Sequence, residues 1–486
     1  MRKIILLAIT LNTLTARGNT LSYPDSKPGE TVDTLHGIRV PDPYRWLEDL
    51  NSDQTAAWVK AQSSLTNSYL DAIPGRQVLK NHLTKLWNVE RLGVPSFEGG
   101  SYFFSKNNGL QNQSVLYSTK SLDIEPSVLL DPNTLSSDGT VALKSYEVSP
   151  DGKYLAYSTS ASGSDWVEWQ VREISSGKDL SDHLKWSKFS GASWSKDSKG
   201  FYYGRFPKPK GGDEMIAKNI HKKIYYHKIG TPQDEDLLVY ERPNEPKQGL
   251  YAWVTEDGKY LLIQVSQGTD TKNGLFYKDL TNPTSKVIEL LAGFDASYDF
   301  ITNLGSNFII RTDLKAPKQK VVSIDLNAPI STQWKTIIPE SKETLRSVSH
   351  IGGLFIANYL KDARTEIRRF KTDGSPLRPV KLPGLGTATG FGGKSNRNET
   401  FYYLTSFTSP GAVYRYDNAR NASSLFKAPK TQFDRDNYES RQIFATSKDG
   451  TKIPMFIVYK KSLKLDGNNP TLLYAYGGFN ISLRPS

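Results

Sequence analysis

The amino-acid sequence predicts a mostly β protein, in which a seven-bladed β-propeller is flanked by N-terminal helices and by the beginning of an α/β domain. Three observations support this prediction. A strand–turn–strand pattern occurs seven times, successive copies begin about 50 residues apart, and no helical periodicity separates them. A sheet of four short strands needs about that length, and packing seven sheets in a ring buries both faces of each one. An unclosed β-solenoid has similar repeats and stays open as the alternative, because a period alone does not show ring closure.

The repeat is clearest at residues 149–177, which read SPDGKYLAYSTSASGSDWVEWQVREISSG. An Asp-Gly turn comes first, an apolar run follows, and a polar hairpin leads to a second alternating run, which is typical of antiparallel strands. The turn residues predicted for the seven copies are Gly100, Gly152, Gly200, Gly258, Gly305, Gly352 and Asn398. Together the copies place the propeller at residues 94–430.

Composition excludes several kinds of site. The 486 residues contain no cysteine, which excludes disulfides, thiolate metal sites and a cysteine nucleophile. The net charge of +12 is spread over strands and turns, so we expect a solvated surface and no nucleic-acid partner. There is no phosphate-binding glycine loop and no metal-ligand cluster, so no cofactor and no metal are expected. No membrane partner is expected either, because nothing reaches transmembrane length.

Residues 1–18 differ from the rest of the chain. Arg2 and Lys3 precede a short apolar run, and Ala16 and Gly18 occupy the positions of a small-x-small cleavage site. This pattern predicts a secretory signal peptide, which would make the mature protein periplasmic or secreted. The alternative is a short extension or an early start codon, which would leave a cytoplasmic protein.

Residues 19–93 contain no blade, but they contain two predicted amphipathic helices, at 52–71 and 76–88. Asn51 or Ser52 caps the first helix. The apolar positions are Trp58, Ala61, Leu65 and Tyr69 in the first helix and Val78, Leu79, Leu83, Leu86 and Trp87 in the second. Helices this short need tertiary packing, so we expect these side chains to point inward, against either the propeller or the segment that follows it.

Residues 431–486 change character again. Two alternating runs, at 438–446 and 453–459, are joined by a Lys-Asp-Gly-Thr turn and predict a hairpin. After a loop, the run TLLYAYGGFN from Thr471 predicts a strand that is buried on both faces, as in an α/β sheet, and that ends at paired glycines. A sheet of three strands without covering helices is incomplete, so we expect the domain to continue beyond Ser486.

Six stretches resemble the prolyl oligopeptidase family, serine peptidases that cut short peptides after proline. The stretches are DPYRWLED at 42–49, GLQNQ at 109–113, LDPNTLSSDGT at 130–140, SASGSDW at 160–166, SKDGTKIPMFIV at 447–458 and YAYGGFNIS at 474–482. The resemblance covers nearly everything from Tyr23 onward. It implies a seven-bladed propeller inserted into an α/β-hydrolase domain, so that residues 19–93 and 431–486 would both belong to that domain, which is incomplete in this chain.

The resemblance also implies roles for two residues of the YGGF motif. Tyr476 would supply its hydroxyl to the oxyanion hole, and Phe479 would line the proline pocket. A hydroxyl held against developing carbonyl charge, in a site that excludes water, stabilises the transition state. From the residues alone, Tyr476 would only end a buried strand.

Two positions depart from the family pattern. Some members have a Phe two residues after the position of Trp169, on the propeller side of the substrate cavity, where this chain has Val171. Some members also have a peptide-anchoring Arg where this chain has Ser266. The resemblance therefore does not extend to substrate contacts beyond the proline pocket.

The catalytic triad is absent from this sequence. No Ser has glycines two residues before and two residues after it, as the family's nucleophile elbow requires. None of the histidines follows Tyr476, where the base should come, and we expect them to be surface or packing residues. They are His36, His82, His183, His221, His227 and His350. The pair His221 and His227, with no acidic partner nearby, is weak support for a metal site. We expect the triad in a C-terminal part outside this chain, and we predict that the chain alone is inactive.

Two function classes follow. The first is a serine endopeptidase, a monomer when complete, that cleaves short peptides on the carboxyl side of proline while the propeller gates access. The second is a non-catalytic propeller that binds peptides or proteins. Within the first class, a relative that cuts after Arg or Lys is a further alternative, but the GLQNQ and SASGSDW stretches favour the prolyl enzyme.

Overall fold

The structure, a computed structural model, describes residues 21–210, 217–479 and 481–486. The predicted signal peptide lies outside these described residues. The chain divides into two compact units, Met1–Lys85 and Leu86–Ser486. Among the described residues, no helix combines the length and the apolar composition of a membrane span.

The first unit contains a hairpin followed by two helices. They are β1 (Val32–Leu35), β2 (Ile38–Pro41), α1 (Asp53–Asp71) and α2 (Arg76–Trp87), the last of which ends two residues into the second unit. The Ser52 hydroxyl accepts a hydrogen bond from the Thr55 backbone N–H at 3.1 Å, which caps α1 as the sequence predicts. Both predicted helices are confirmed.

The apolar side chains of these helices are more exposed than predicted. In α2 all five residues that were expected to point inward are at least 43% exposed; they are Val78, Leu79, Leu83, Leu86 and Trp87. In α1, Trp58 and Leu65 are half-buried, whereas Ala61 and Tyr69 are exposed. The predicted inward face is therefore wrong for α2 and only partly confirmed for α1. Helical periodicity places residues on a common face, but it does not supply an element to cover that face.

In its described residues the second unit contains a two-stranded C-terminal sheet and seven larger antiparallel sheets, which we name blades 1 to 7. Blade 1 consists of β3 (Arg91–Leu92), β4 (Ser96–Glu98), β5 (Ser101–Asn107), β6 (Val115–Thr119) and β7 (Ser127–Leu130). Blades 2 and 3 consist of β8 (Val141–Val148), β9 (Tyr154–Ala161), β10 (Val167–Glu173) and β11 (Asp179–Ser187), and of β12 (Ala192–Trp194), β13 (Gly200–Arg205), β14 (Lys223–Lys228) and β15 (Leu237–Tyr240). Blades 4 and 5 consist of β16 (Gln248–Val254), β17 (Tyr260–Gln267), β18 (Asn273–Asp279) and β19 (Ile288–Leu291), and of β20 (Tyr298–Leu304), β21 (Asn307–Thr312), β22 (Lys320–Asp325) and β23 (Lys335–Ile338). Blades 6 and 7 consist of β24 (Thr344–Ile351), β25 (Leu354–Lys361), β26 (Arg364–Lys371) and β27 (Pro376–Val380), and of β28 (Thr387–Gly392), β29 (Glu399–Ser406), β30 (Ser409–Asp417) and β31 (Ala422–Lys427). In each blade the strands pair in chain order, except that β3 and β4 both pair with β5.

Hydrophobic clusters join the neighbouring blades. Each of the seven clusters in the described residues combines side chains of two adjacent blades, as where the fully buried Trp169 of blade 2 shares a cluster with Trp194 of blade 3. One of these clusters joins blade 7 to blade 1 through Phe401, Val413 and Tyr102. The sheets therefore form a closed ring. The predicted seven-bladed propeller is confirmed, and the open solenoid is excluded.

The predicted Asp-Gly turn explains how the first strand of a blade returns as the second. In blade 2 the Ser149 hydroxyl donates to Asp151 Oδ1 at 2.7 Å, and the same oxygen accepts the Lys153 backbone N–H at 3.1 Å. Gly152 has φ +72°, a left-handed conformation that glycine adopts without steric cost. A Cβ at Gly152 would also lie 2.6 Å from the carbonyl oxygen of Gly99 in the corresponding turn of blade 1.

Blade 3 departs from this prediction. In its sequence SKDSK, Ser198 rather than Gly200 has the left-handed backbone, with φ +60°. Gly200 instead begins β13, where a Cβ would collide with the backbone of His227. Gly200 is therefore required by close packing, and the predicted turn residue was two positions too late.

A buried charged group connects blades 2 and 3. His227 is fully buried, with Nδ1 2.7 Å from a carboxylate oxygen of Asp236 and Nε2 2.8 Å from one of Asp182. Both facing atoms are acceptors, so the imidazole donates from both nitrogens and is positively charged. Burial alone would lower the pKa of His227, but the two carboxylates raise it to about 9. The expectation that no acidic partner lies near His227 is wrong, because one of its partners comes from the preceding blade.

The joint between blades 1 and 7 is made by side chains, because no strand is shared between the two sheets. The Glu399 carboxylate accepts hydrogen bonds from the Tyr102 hydroxyl at 2.5 Å and from the Arg397 guanidinium at 3.3 Å. It also pairs with Arg415. The Glu399 side chain is only 15% exposed, so these charge-assisted bonds are partly shielded from water.

We expect His227→Gln to lower the free energy of unfolding most below pH 6.5. The histidine titrates near pH 6.5 in the unfolded chain and near 9 in the folded protein, so its stabilisation is complete below the first value and is lost as the pH rises to the second. The lost stabilisation is roughly 3 kcal/mol, at about 1.4 kcal/mol per pKa unit. Urea unfolding of the wild type and the variant at pH 6 and 9.5 measures the change.

The control for this experiment is His183→Gln, which removes an exposed imidazole that lies 2.6 Å from Glu168. Its effect should be small at both pH values. A loss of stability from His227→Gln that is the same at pH 6 and pH 9.5 would contradict a charged His227.

We expect Glu399→Gln to destabilise the ring by about 1–3 kcal/mol, because the Tyr102 and arginine donors lose a charged acceptor. The matched control is Glu289→Gln. Glu289 accepts from the Tyr240 hydroxyl at 2.9 Å and from Arg242 at 3.1 Å, but between blades 3 and 4, which are consecutive in the chain. Hydrogen exchange should increase in blades 1 and 7 for the first variant only. Equal effects of the two variants would show that the stability of the ring depends no more on the joint between blades 1 and 7 than on the joint between blades 3 and 4.

Candidate functional site

The loops that join the second and third strands of each blade lie at one end of the propeller, which we call the loop face. The C-terminal hairpin, β32 (Tyr438–Thr446) and β33 (Lys452–Lys460), contacts this face and confirms the predicted strand pair. The Gln442 side-chain amide donates to the Asp362 carbonyl oxygen of blade 6 at 2.5 Å. The Phe456 ring lies 5.4 Å from the Phe407 ring of blade 7. The segment with the predicted site residues follows this hairpin.

That segment does not form the strand that the sequence predicts. Residues 471–476 lie outside any strand, and Leu472 and Leu473 are 91% and 85% exposed. The strand predicted from Thr471 is therefore wrong for this structure, whereas the exposure of its apolar side chains is what we expect when the neighbouring strands of the sheet are missing. An isolated strand leaves its backbone groups unpaired, and no described strand lies alongside to pair with it. Leaving large apolar side chains in water forfeits about 1.5–3 kcal/mol each.

Tyr476 and Phe479 are close in sequence and both are accessible. Tyr476 is 46% exposed and Phe479 is 91% exposed. The Ile481 backbone N–H donates to the Gly478 carbonyl oxygen at 3.2 Å, and Phe479 has a left-handed φ of +54°. The paired glycines thus lead into a turn that presents both side chains to solvent. Their roles in an oxyanion hole and a proline pocket stay predictions.

The two positions that depart from the family pattern lie in the propeller. Val171 is fully buried on β10, in the same cluster as Trp169, so its side chain packs into the core between blades 2 and 3. Ser266 is half-buried on β17, opposite Gly249 on β16. A Cβ at Gly249 would lie 2.5 Å from the Ser266 hydroxyl oxygen. The Ser266 side chain therefore fits only because the residue opposite it on β16 is a glycine.

Two buried lysines on the loop face were not anticipated from the sequence. Lys188 and Lys222 are only 6% and 4% exposed. The Lys188 ammonium lies 3.9 Å from the centre of the Trp166 ring, and the Lys222 ammonium lies 4.1 Å from that of Tyr251. The Lys222 ammonium also donates to the Phe189 carbonyl oxygen at 2.6 Å. These residues come from separate loops and strands, so no local motif reveals the cluster.

Burial changes the chemistry of both lysines. It lowers the pKa of Lys222 to about 7 and also lowers that of Lys188. Lys222 is therefore partly neutral near pH 7, while the aromatic ring beside it favours the charged form. A lysine of this kind can donate to a peptide carbonyl, or pair with a carboxylate at little further desolvation cost.

The described residues contain no serine–histidine pair and no group of three or more His, Cys, Asp or Glu that could hold a metal ion. His227 is held between two carboxylates in the core and is inaccessible to a substrate. Burial lowers the pKa of His350, which faces the Thr302 hydroxyl at 3.3 Å. Neither histidine is a general base for the loop face.

Comparison with known proteins shows that the propeller matches the profile of a protein family. The profile of the prolyl oligopeptidase N-terminal β-propeller domain matches residues 24–429. The chain belongs to the prolyl oligopeptidase family. This confirms the family resemblance, with four of the six sequence stretches inside the matched residues, and it accounts for the seven blades of the closed ring.

Relatives of the chain in this family include two bacterial enzymes. The prolyl endopeptidases of Elizabethkingia meningoseptica and Elizabethkingia miricola are each 40% identical over 468 residues, 96% of this chain. A dual function macrocyclase-peptidase of Galerina marginata is 35% identical over 500 residues, again 96% of this chain. The chain spans 66% of the length of the two endopeptidases and 68% of that of the macrocyclase-peptidase.

Solved structures of the family agree with the architecture. A prolyl endopeptidase superimposes with a TM-score of 0.84 at 35% identity, over 96% of this chain and 68% of that one. Prolyl oligopeptidase B from Galerina marginata, bound to a 35mer hydrolysis and macrocyclization substrate, superimposes with a TM-score of 0.80 at 34% identity, over 92% of this chain and 66% of that one.

We expect Lys222→Met to stabilise the protein at pH 6.5, because Met fills a similar volume without a buried charge. The lysine titrates near 7 in the folded state and near 10.5 in the unfolded state, so the unfolded state binds more protons in between and wild-type stability rises with pH. The advantage of the variant should therefore shrink as pH rises toward 10. Chemical denaturation at pH 6.5 and 10 tests this, with the exposed Lys228→Met as control. An advantage that is independent of pH would contradict the lowered pKa.

Proposed function

We propose that this chain is the propeller-bearing part of a serine endopeptidase that cleaves short peptides on the carboxyl side of proline. One observation carries the proposal: relatives named prolyl endopeptidase are 40% identical over 96% of the chain. The chain itself has no Gly-x-Ser-x-Gly elbow, and its relatives are longer. The nucleophile, the acid and the base are therefore assigned to a further C-terminal part, and the 486 residues alone are inactive.

Tyr476 and Phe479 supply different contributions in this proposal. The Tyr476 hydroxyl donates to the oxygen that becomes negatively charged when the scissile carbonyl is attacked, a charge that hardly exists in the bound peptide. Phe479 packs against the proline ring, which is present in the bound peptide and in the transition state alike. The exposure of both side chains supports these roles, because a side chain that contacts the substrate must be accessible to it.

The propeller gates access in this proposal, and the complete enzyme acts as a monomer on short proline-containing peptides, without nucleic acid or membrane. The closed ring supports gating, because blades joined all the way round by hydrophobic clusters form a wall through which a folded protein cannot pass. The related Galerina marginata enzyme was solved with a 35mer bound.

A second candidate is a non-catalytic propeller that binds peptides. The absence of the nucleophile elbow from the sequence is the observation that favours it. The coding DNA beyond the codon for Ser486 separates the two candidates. A continuing frame that encodes Gly-x-Ser-x-Gly, then Asp and His, supports the endopeptidase, and a stop codon with no such frame supports the binding module. An oligopeptidase that cuts after Arg or Lys is distinguished by its substrate in the assay below.

In the enzyme that includes the elbow, we expect Tyr476→Phe to lower kcat about 100-fold or more with little change in KM, because loss of one oxyanion donor is felt only in the transition state. Phe479→Ala should mainly raise KM. Steady-state hydrolysis of a chromogenic glycyl-proline substrate, compared with a glycyl-arginine substrate, measures both.

The matched control is Tyr474→Phe, which removes a hydroxyl two residues earlier and should leave kcat and KM unchanged. Turnover that survives Tyr476→Phe would remove Tyr476 from the oxyanion hole. Preferential cleavage of the glycyl-arginine substrate would replace the prolyl assignment with the alternative within the class.

A further inference from the structure

A cavity of about 420 Å³ lies at the end of the propeller opposite the loop face. It is formed where the first strands of several blades end and turn into the second strands. Its wall includes Glu98 of blade 1, Glu147 of blade 2, Trp194 of blade 3, Trp253 of blade 4 and Lys394 from the loop after β28 of blade 7. Five of the seven blades thus contribute to one cavity, open to solvent on one side, near the centre of the ring.

Most of the charged groups in this wall already have partners. Lys394 forms an ion pair with Glu98. The Lys196 ammonium donates to the backbone carbonyl oxygen of Glu256 at 2.8 Å. The Glu256 carboxylate accepts the backbone N–H of Ser395, at 3.0 and 3.1 Å from its two oxygens. Both lysines are therefore engaged, and the wall has no cation left over for an anionic ligand.

Glu147 is the exception. The Glu147 residue is exposed to solvent, and within the described residues its carboxylate has neither a hydrogen bond nor an ion pair. Partial desolvation by the surrounding blades and the nearby Glu98 carboxylate together raise the pKa of Glu147 to about 7, although Lys394 opposes the rise. The cavity therefore contains one carboxylate without an ion-pair partner, to which a cation placed beside it would be attracted.

The aromatic residues of the wall suit the same kind of ligand. Trp194 is held in place because its indole Nε1–H donates to the backbone carbonyl oxygen of Glu147 at 2.9 Å. Trp253 lines the cavity from the next blade. Indole rings attract organic cations through their quadrupole, and they also cover the apolar stem of an amine or a guanidine. No described group of three or more acidic or histidine ligands could hold a metal ion here.

We propose that this cavity is a binding site for an organic cation, an ammonium or guanidinium group, with Glu147 as its counter-ion and Trp194 and Trp253 as its walls. The cavity volume admits a side chain or the end of a peptide but not a folded partner. The site is separate from Tyr476 and Phe479, which belong to the segment after the hairpin on the loop face. Its occupant could be a peptide N-terminus or a basic side chain, which share this chemistry.

The test is calorimetric titration of the 486-residue chain with two pairs of probes. N-acetyl-arginine amide is compared with its neutral isostere N-acetyl-citrulline amide, and glycinamide is compared with N-acetylglycinamide. We expect saturable binding of one cation per chain and at least tenfold weaker binding of the neutral member of the pair. The pair that shows this difference identifies the basic side chain or the peptide N-terminus as the source of the cation.

Binding of N-acetyl-arginine amide, which keeps its charge over this range, should be several-fold tighter at pH 8 than at pH 6, because Glu147 is ionised above its pKa. The other ionisable groups of the wall are Glu98, Lys394, Lys196 and Glu256, each of which is already engaged. Glu147→Gln should weaken binding at least tenfold and remove the dependence on pH. The control is Glu245→Gln, which changes an exposed carboxylate outside the cavity and should leave binding unchanged.

Circular dichroism and thermal melting establish that each variant is folded. Should Glu147→Gln not fold, Trp253→Phe serves instead and should weaken binding at least threefold, because a smaller ring has a weaker quadrupole. Equal binding of the charged and neutral probes, binding that persists at full strength in the folded variant, or no saturable binding of any probe would each overturn the proposal.

Discussion

The joint between blades 1 and 7 must hold together residues that are far apart in the sequence, such as Tyr102 and Glu399 at 297 positions, and it must do so without a shared strand. Its hydrophobic cluster is small: three buried residues, Tyr102, Phe401 and Val413, compared with six to ten in each of the other clusters of the described residues. Glu399 and its donors supplement it with charge-assisted bonds, and the Arg397 guanidinium lies 3.5 Å from the centre of the Phe97 ring. Every other joint connects blades that the chain already links, so the ring depends most on this one.

Local chemistry made the propeller predictable from the sequence. A turn such as the one at Asp151 and Gly152 needs only neighbouring residues, and its repetition fixed the number of blades. Features that depend on distant residues were not predictable. The partners of His227 include a carboxylate from another blade, and the strand expected from Thr471 needs a neighbour that no described strand provides. Tyr476 and Phe479 were predicted as site residues from the motif alone, because their surroundings depend on residues distant from them in the sequence.

Blade 3 contains two buried cations that respond to pH in opposite directions. His227 keeps a proton between about pH 6.5 and 9 that the unfolded chain has lost, while Lys222 lacks one between about 7 and 10.5 that the unfolded chain retains. The slope of stability with pH depends on the difference in bound protons, so the two contributions cancel between about 7 and 9. One cation is matched by carboxylates and the other by aromatic rings and a carbonyl oxygen. Charge can thus be buried in the same blade without making its stability strongly dependent on pH near neutrality.

The proposed catalytic role of Tyr476 requires an accurately positioned hydroxyl as well as a hydroxyl of the right chemistry. An oxyanion donor must be held within a few tenths of an ångström of its productive position, yet in the described structure the segment around Tyr476 is exposed and lacks a strand partner. Its order must then come from neighbouring strands that pair with residues 471–476 and cover Leu472 and Leu473. The apolar surface that would be buried in that step, and the backbone bonds that would be formed, supply the free energy that fixes the tyrosine. Completion of the sheet and assembly of the oxyanion hole would therefore be a single event, so that this donor is in place only when the rest of the catalytic domain has folded against it.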